Sequence, residues 1–290
     1  MLQAYSTLTR EAPGRAEAAL GAAESDSLAL PFRIVLGSEL SSPGFARMLE
    51  LLRVGEVDAA LRELSALGLR NDGVGSEILW GVALLYERAG VSRLSAELTR
   101  MRLSEMSGRW PFGEWTKAWE IAFPRPFLAI VEKEAAASGV DPALAYAIMR
   151  EESAFDPDAV SPANAYGLMQ LIVPTARRAA KGTNLVASAA SLKRPRVNVA
   201  LGCRELSHLA GMFEQNPLLA VPAYNAGPGR AAAWLRDRPS MDFDLWVERI
   251  PFLETRRYTK RVLSSRAIYA FLYDRKEAAR RLTLPKKVDG

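Results

Sequence analysis

The chain has 290 residues, which at a typical domain length of roughly 150 residues predicts about two domains. Hydrophobic residues make up 49% and charged residues 24%, as in folded domains and unlike disordered chains. A single histidine and a single cysteine exclude a multi-histidine metal site and an intrachain disulfide. We therefore expect no metal and no cofactor, and carboxylates are the natural candidates for any catalysis.

The formal charge of +5 is concentrated near the C-terminus. Residues 255–290 carry a net charge of +8 and the rest of the chain −3. Because no nucleic-acid-binding signature accompanies these basic residues, we expect no nucleic-acid partner, and the cluster is either a site for another polyanion or a solvated helix face. No stretch of 18 uninterrupted apolar residues predicts a membrane span, and the first thirty residues lack the apolar core of a secretory signal.

Helical periodicity dominates the sequence, so the predicted fold class is all-α. Leu51–Leu64 resembles Leu85–Leu98 at an offset of 34 residues, and each pairs an apolar helix, a glycine and a second amphipathic run. This period is typical of stacked helical hairpins. We expect an N-terminal segment at 1–31, hairpin repeats at 32–112 and a second domain at 113–290.

The second domain contains a helix that ends in two glutamates. Gly139 ends the preceding helix, and Asp141 followed by Pro142 supplies an N-cap and a first-turn proline. The new helix is predicted to run to Glu152 or Ser153. A pair of glutamates is therefore delivered to the end of a mostly apolar helix, beside a loop rich in turn residues.

Periodicity does not decide which of Glu151 and Glu152 turns inward, because both flank the apolar side. A desolvated glutamate would have a raised pKa, as a general acid at neutral pH requires. The alternative is a solvated or salt-bridged carboxylate, with Arg150 or Arg177 as a partner.

The single cysteine and the single histidine both lie on the helix predicted around residue 203. Cys203 falls on its apolar stripe and is interpreted as a buried thiol. His208 falls on the opposite face and is interpreted as solvated.

Three sequence blocks resemble a known enzyme family in the same order. Ile148–Ala176, Ala223–Arg230 and Trp246–Leu263 are similar to the motifs of the soluble lytic transglycosylases of glycoside hydrolase family 23. The resemblance covers about Trp115 to Tyr273 and implies a lysozyme-like helical catalytic domain. The upstream hairpins resemble the superhelical segment of the longer members.

The resemblance implies that Glu152, directly before Ser153, is the catalytic acid. Glu151 fills a position where the family often has glutamine, so we expect it to be inessential. The resemblance also implies six substrate-binding side chains: Ser161, Gln170, Tyr224, Asn225, Glu254 and Tyr258. A buried structural role is the alternative for the two tyrosines, and a turn for Asn225. Gly167 is interpreted as a position of close backbone approach.

The implied reaction cleaves the β-1,4 bond between N-acetylmuramic acid and N-acetylglucosamine and forms a 1,6-anhydro end. One glutamate suffices, because the substrate's N-acetyl group replaces the second carboxylate. Peptidoglycan strands are then the partner, the periplasm or cell envelope the location, and the hairpins a contact surface for cell-wall proteins. The alternatives are a hydrolase of goose-lysozyme type and a non-catalytic wall-binding or scaffold protein.

Overall fold

The structure is a computed structural model that describes residues 41–70, 73–103, 106, 111, 113–214, 216–275, 284, 287 and 288. These residues form two compact units, 41–126 and 127–288. Helices dominate both units, which confirms the predicted all-α class. The predicted N-terminal segment at 1–31 lies outside the described residues.

The first unit consists mainly of helical hairpins. Its α-helices are α1 (Pro43–Arg53), α2 (Val57–Ala66), α3 (Ser76–Arg88), α4 (Ser92–Arg102) and α5 (Thr116–Ala122). Helix α1 packs on α2, and α3 packs on α4. The connections turn through Gly55 and Gly90, whose φ angles of 81° and 73° favour glycine. The two similar sequence segments thus form the predicted helix–glycine–helix hairpins.

The boundary between the units differs from the predicted one. Helix α5 packs against α3 and α4, and the buried Ser95 hydroxyl donates to the Ile121 carbonyl at 2.8 Å. Because Trp119 and Ile121 are buried, this helix is part of the first unit's packing. The boundary therefore lies after Pro126 rather than after residue 112.

The second unit contains eight α-helices and one short hairpin among its described residues. The elements are α6 (Leu128–Ser138), α7 (Pro142–Ser153), β1 (Ala165–Tyr166), β2 (Leu171–Ile172), α8 (Val173–Ala179), α9 (Pro195–Met212), α10 (Pro217–Ala226), α11 (Pro228–Arg236), α12 (Phe243–Glu248) and α13 (Leu253–Tyr273). Strands β1 and β2 pair antiparallel. Helix α9 packs against α6, α8 and α10, and α13 lies along α7.

Helix α7 begins and ends as its sequence predicts. The Asp141 carboxylate accepts a hydrogen bond from the Ala143 amide at 3.0 Å, and Pro142 occupies the first turn. The helix ends at Ser153, where Ala154 adopts a left-handed φ of 49°. Eight consecutive residues, 143–150, are buried, so α7 is a central helix of this unit.

Cys203 and His208 lie as predicted. The Cys203 side chain is fully buried on α9, and burial raises the pKa of its thiol to about 12, whereas His208 is exposed. Among the described helices none is long and apolar enough to cross a membrane. The described part of the chain also holds no group of three or more histidine, cysteine, aspartate or glutamate side chains suited to a metal ion.

Candidate active site

The two glutamates at the end of α7 have different partners on α13. The Tyr258 hydroxyl donates to Glu152 Oε1 at 2.6 Å. Glu151 instead accepts from Arg261 Nε at 2.8 Å and from the Ser265 hydroxyl at 3.2 Å. Its salt-bridge partner is therefore Arg261 rather than the expected Arg150 or Arg177.

The surroundings of Glu152 favour its protonated form. Burial is the largest cause that raises its pKa, to about 7, and the negative charges of Glu151 and Glu254 act in the same direction. The hydrogen bond from Tyr258 and the positive charge of Arg261 partly oppose this rise. Glu152 can therefore both donate and accept a proton near neutral pH.

Two tyrosines, the buried Tyr258 and the partly buried Tyr224, lie close to this carboxyl. Tyr258 is only 4% exposed, and burial raises its pKa well above the ordinary value, so its hydroxyl remains a donor to Glu152. The pKa of Tyr224 is also raised well above its ordinary value, by burial first and by the charge of Glu152 second. The Tyr224 hydroxyl donates to the Met169 carbonyl at 2.7 Å, so this side chain supports the loop backbone.

The loop between α7 and β2 carries Ser161 and Gln170. Ser153, at the end of α7, fastens this loop by donating to the Leu168 carbonyl at 2.8 Å. The Ser161 hydroxyl accepts from the Ala165 amide at 3.1 Å. Gln170 has a left-handed φ of 46°, and its side-chain amide donates to the Gly167 carbonyl at 2.9 Å. Both predicted residues thus make these hydrogen bonds within one folded loop.

Asn198 of α9 binds the backbone of the same loop, and the sequence analysis did not predict this residue. Its Oδ1 accepts from the Met169 amide at 2.7 Å, while Nδ2 donates to the carbonyls of Tyr166 and Leu192, both at 2.8 Å. Asn198 is fully buried. The only available signal was a polar residue beside Val199 on the apolar face of a predicted helix.

Gly167 belongs to the same network because the backbone packs tightly there. A Cβ atom at Gly167 would overlap the Leu192 carbonyl oxygen and the Asn198 amide nitrogen. Its φ of 73° also lies in the region that favours glycine. The close approach that the sequence suggested at this position is therefore confirmed.

Asn225 and Glu254 lie where α10 meets the start of α13. Asn225 Oδ1 accepts from the Thr255 hydroxyl at 2.6 Å, and Thr255 is buried. Glu254 lies next to Thr255 in the first turn of α13 and is exposed. Thr255 was not predicted. Asn225 makes an inter-helix contact in addition to lying at the end of α10.

Residues 129–247 match the family model described as "Transglycosylase SLT domain". These residues are thus similar to a transglycosylase SLT domain. The matched segment includes Glu152, its loop and Asn225 but ends before α13. The partners of the two glutamates, Tyr258 and Arg261, therefore lie outside the matched residues.

Two curated proteins that are similar to this chain carry the name soluble lytic murein transglycosylase. The protein from Salmonella typhimurium is 35% identical over 168 residues, which cover 56% of this chain and 26% of that protein. The Escherichia coli K12 protein is 35% identical over 161 residues, covering 53% and 25%. The chain thus spans about a quarter of the length of these relatives.

Solved structures are similar to a larger part of the chain. An inactive mutant of lytic transglycosylase Slt from Pseudomonas aeruginosa matches with a TM-score of 0.70 and 31% identity, covering 87% of this chain and 39% of that one. The 70-kDa soluble lytic transglycosylase from Escherichia coli matches with a TM-score of 0.71 and 26% identity, covering 96% and 44%.

Proposed function

We propose that this chain is a peptidoglycan lytic transglycosylase. It cleaves the β-1,4 bond between N-acetylmuramic acid and N-acetylglucosamine and leaves a 1,6-anhydro end. The observation that carries the proposal is Glu152, a carboxyl with a pKa near 7 that is hydrogen-bonded to Tyr258 at the end of a buried helix. The SLT domain match and the names of the relatives support the same reaction class.

In the first step, Glu152 protonates the glycosidic oxygen. Tyr258 occupies Oε1, so Oε2 is the oxygen that presents the proton. The bond between the muramic C1 atom and the glycosidic oxygen then breaks, and its electron pair stays on the N-acetylglucosamine 4-oxygen. A pKa near 7 suits this step because the acid is still substantially protonated at neutral pH.

In the second step, the same glutamate acts as the base. The muramic N-acetyl oxygen stabilises the positive C1 atom, as an oxazolinium, where a second carboxylate would act in most glycosidases. Ionised Glu152 takes the proton of the 6-hydroxyl, whose oxygen attacks C1 and closes the anhydro ring. No water is consumed, and Glu152 ends in its starting protonation state.

The roles of the other predicted side chains form part of this proposal. The Ser161 hydroxyl accepts from a backbone amide, which leaves its own proton available for the substrate's acetamido carbonyl. Gln170 contacts the sugar chain from the same loop. Tyr224 and Asn225 border the cleft floor, and Glu254 and Tyr258 close it from α13.

The proposed substrate places this activity in the periplasm or cell envelope. The helical hairpins of the first unit, within the proposed repeat region, supply a surface for contacts with cell-wall proteins. The C-terminal unit carries the catalysis.

The proposal is tested by mass spectrometry of the muropeptides that the purified protein releases from sacculi. We expect products with 1,6-anhydromuramic ends. Products with only reducing ends would instead indicate a hydrolase, and binding without any product would indicate a non-catalytic wall-binding protein. The value of kcat/KM should fall as pH rises through about 7, because Glu152 must be protonated when the reaction starts.

The adjacent glutamates provide a matched pair of variants for the same assay. Glu152→Gln should reduce product release by at least about 100-fold, since a general acid typically contributes this much or more. Glu151→Gln should change it by less than about tenfold, because Glu151 is engaged by Arg261 and takes no part in the steps above. Full activity of Glu152→Gln would refute the assignment.

A further inference from the structure

Helices α7 and α13 are joined by two parallel contacts at the proposed catalytic end. Glu152 accepts from Tyr258, and the preceding Glu151 accepts from Arg261. Tyr258 and Arg261 are three residues apart, so they lie one above the other on the same face of α13. Ser265, one turn further along, adds a second hydrogen bond to Glu151.

The two side chains of the Glu151–Arg261 ion pair differ in solvent exposure. The Glu151 side chain is 5% exposed, whereas the Arg261 side chain is 51% exposed. Arg261 therefore reaches from the solvent side to a carboxylate that is almost fully desolvated. Without the guanidinium, Glu151 would be a buried negative charge directly adjacent to Glu152, and such a charge disfavours ionisation of its neighbour.

We propose that the Glu151–Arg261 ion pair, with Ser265 as its second donor, sets the proton affinity of Glu152 by keeping the charge beside it close to zero. Glu151, Arg261 and Ser265 are then positioning residues that fix the pH range of catalysis. This inference rests on the proposed function for its effect on catalysis, while the effect on the carboxyl itself can be measured without any turnover.

Charged and titratable side chains face the two glutamates from three helices. Glu152 is faced by Tyr258, Glu254 and Arg261 of α13, Glu151 of α7 and Tyr224 of α10. Tyr269 of α13 and Arg150 of α7 lie near Glu151. In this set Glu151 raises the pKa of Glu152 and Arg261 lowers it. Loss of Glu151 should therefore lower the pKa of Glu152, and loss of Arg261 should raise it.

The decisive experiment is a double-mutant cycle on the full chain. Arg261→Gln leaves the Glu151 charge uncompensated, so the alkaline limb of kcat/KM should move up by roughly one pH unit. Glu151→Gln leaves the Arg261 cation uncompensated, so that limb should move down by a similar amount. The double variant should return close to the wild-type midpoint. Shifts of the same sign, or none, would overturn the proposal.

A direct titration separates this proposal from the proposed function. In protein labelled with ¹³C at the glutamate carboxyls, the Glu152 signal is identified by its absence in Glu152→Gln. Its midpoint, expected near pH 7 in the wild type, should move up in Arg261→Gln and down in Glu151→Gln. If the midpoints move but no muropeptides form, only the proposed function fails. If muropeptides form but the midpoints coincide, only this inference fails.

Two further variants test whether the shift is specific to this ion pair. Lys260→Gln removes the same charge one residue earlier, where the lysine pairs with the exposed Glu248 at 2.7 Å. It should leave the Glu152 midpoint unchanged, and a shift equal to that of Arg261→Gln would refute a specific role for the pair. Arg261→Lys retains the cation, so its Glu152 midpoint should lie close to the wild-type value. This variant keeps the proposal testable if Arg261→Gln does not fold.

Discussion

Acidic side chains have different surroundings in the two units. In the hairpin unit, Glu63 pairs with Arg47 at 3.1 Å, and the two side chains are 26% and 62% exposed. In the second unit, Glu205 pairs with Arg178 at 2.6 Å while only 5% exposed, and Glu151 is equally buried. Among the ion pairs of the described residues, the carboxylates with the least exposed side chains, Glu205 and Glu151, thus lie in the unit that carries the candidate site.

The difference indicates what each kind of ion pair can do. Exposed pairs contribute little to stability, because water and salt screen them. Buried carboxylates are costly to desolvate, so their partners must be placed accurately. Two such pairs fasten α7 to α13, Asp141 with Arg266 at the start of α7 and Glu151 with Arg261 at its end. Glu152 is therefore positioned by a helix that is held at both ends.

The largest stability effect should come from Asn198→Ala. This change removes hydrogen-bond partners from the Met169 amide and from the carbonyls of Tyr166 and Leu192. Since each orphaned buried group costs about 1–3 kcal/mol, the free energy of unfolding should fall by about 4 kcal/mol. Urea unfolding measures the loss. A loss below about 1 kcal/mol would mean that the loop does not depend on this side chain.

The second prediction compares one arginine from each unit. Arg266→Ala removes the partner of a carboxylate that is 13% exposed, so unfolding free energy should fall by about 3 kcal/mol. Arg47→Ala breaks an exposed pair of similar length and should leave the unfolding free energy almost unchanged. Equal losses in urea unfolding would show that burial does not separate the two units.

The third prediction concerns Glu152 and the pH dependence of stability. Its pKa is raised from 4.5 to about 7 in the folded state, so the folded protein binds this proton more tightly than the unfolded one between those values. Stability contributed by Glu152 is therefore present below pH 4.5 and lost as pH rises towards 7. Glu152→Gln removes this loss and should be more stable than the wild type at pH 8, by about 3 kcal/mol.

Thermal or urea unfolding at pH 4.5 and at pH 8 measures this gain. The advantage of Glu152→Gln over the wild type should grow between the two pH values. Glu248→Gln is a suitable control because Glu248 is exposed and is not among the charges that shift the pKa of Glu152, so the pH dependence of its stability should follow the wild type. A Glu152→Gln advantage that stays constant with pH would contradict a raised carboxyl pKa.

Local features of the fold were predictable because neighbouring residues specify them. The Asp141 cap, Pro142 and Gly139 mark the ends of α6 and α7, and the structure has these ends where they were expected. The two hairpins follow from an apolar repeat with a glycine at each turn. The boundary at 126 was not predictable, because the packing of α5 on α3 and α4 leaves no signal in local spacing.

The sequence by itself determined the helix ends, the hairpins and the presence of two adjacent glutamates at the end of an apolar helix. Only the tertiary structure decided which of them faces Tyr258, a residue 106 positions away, and which faces Arg261. The reason is physical. Helical periodicity does not decide which of two adjacent side chains faces the protein interior. The burial and the hydrogen-bond partners that set the pKa of a carboxyl come from a helix distant in the chain.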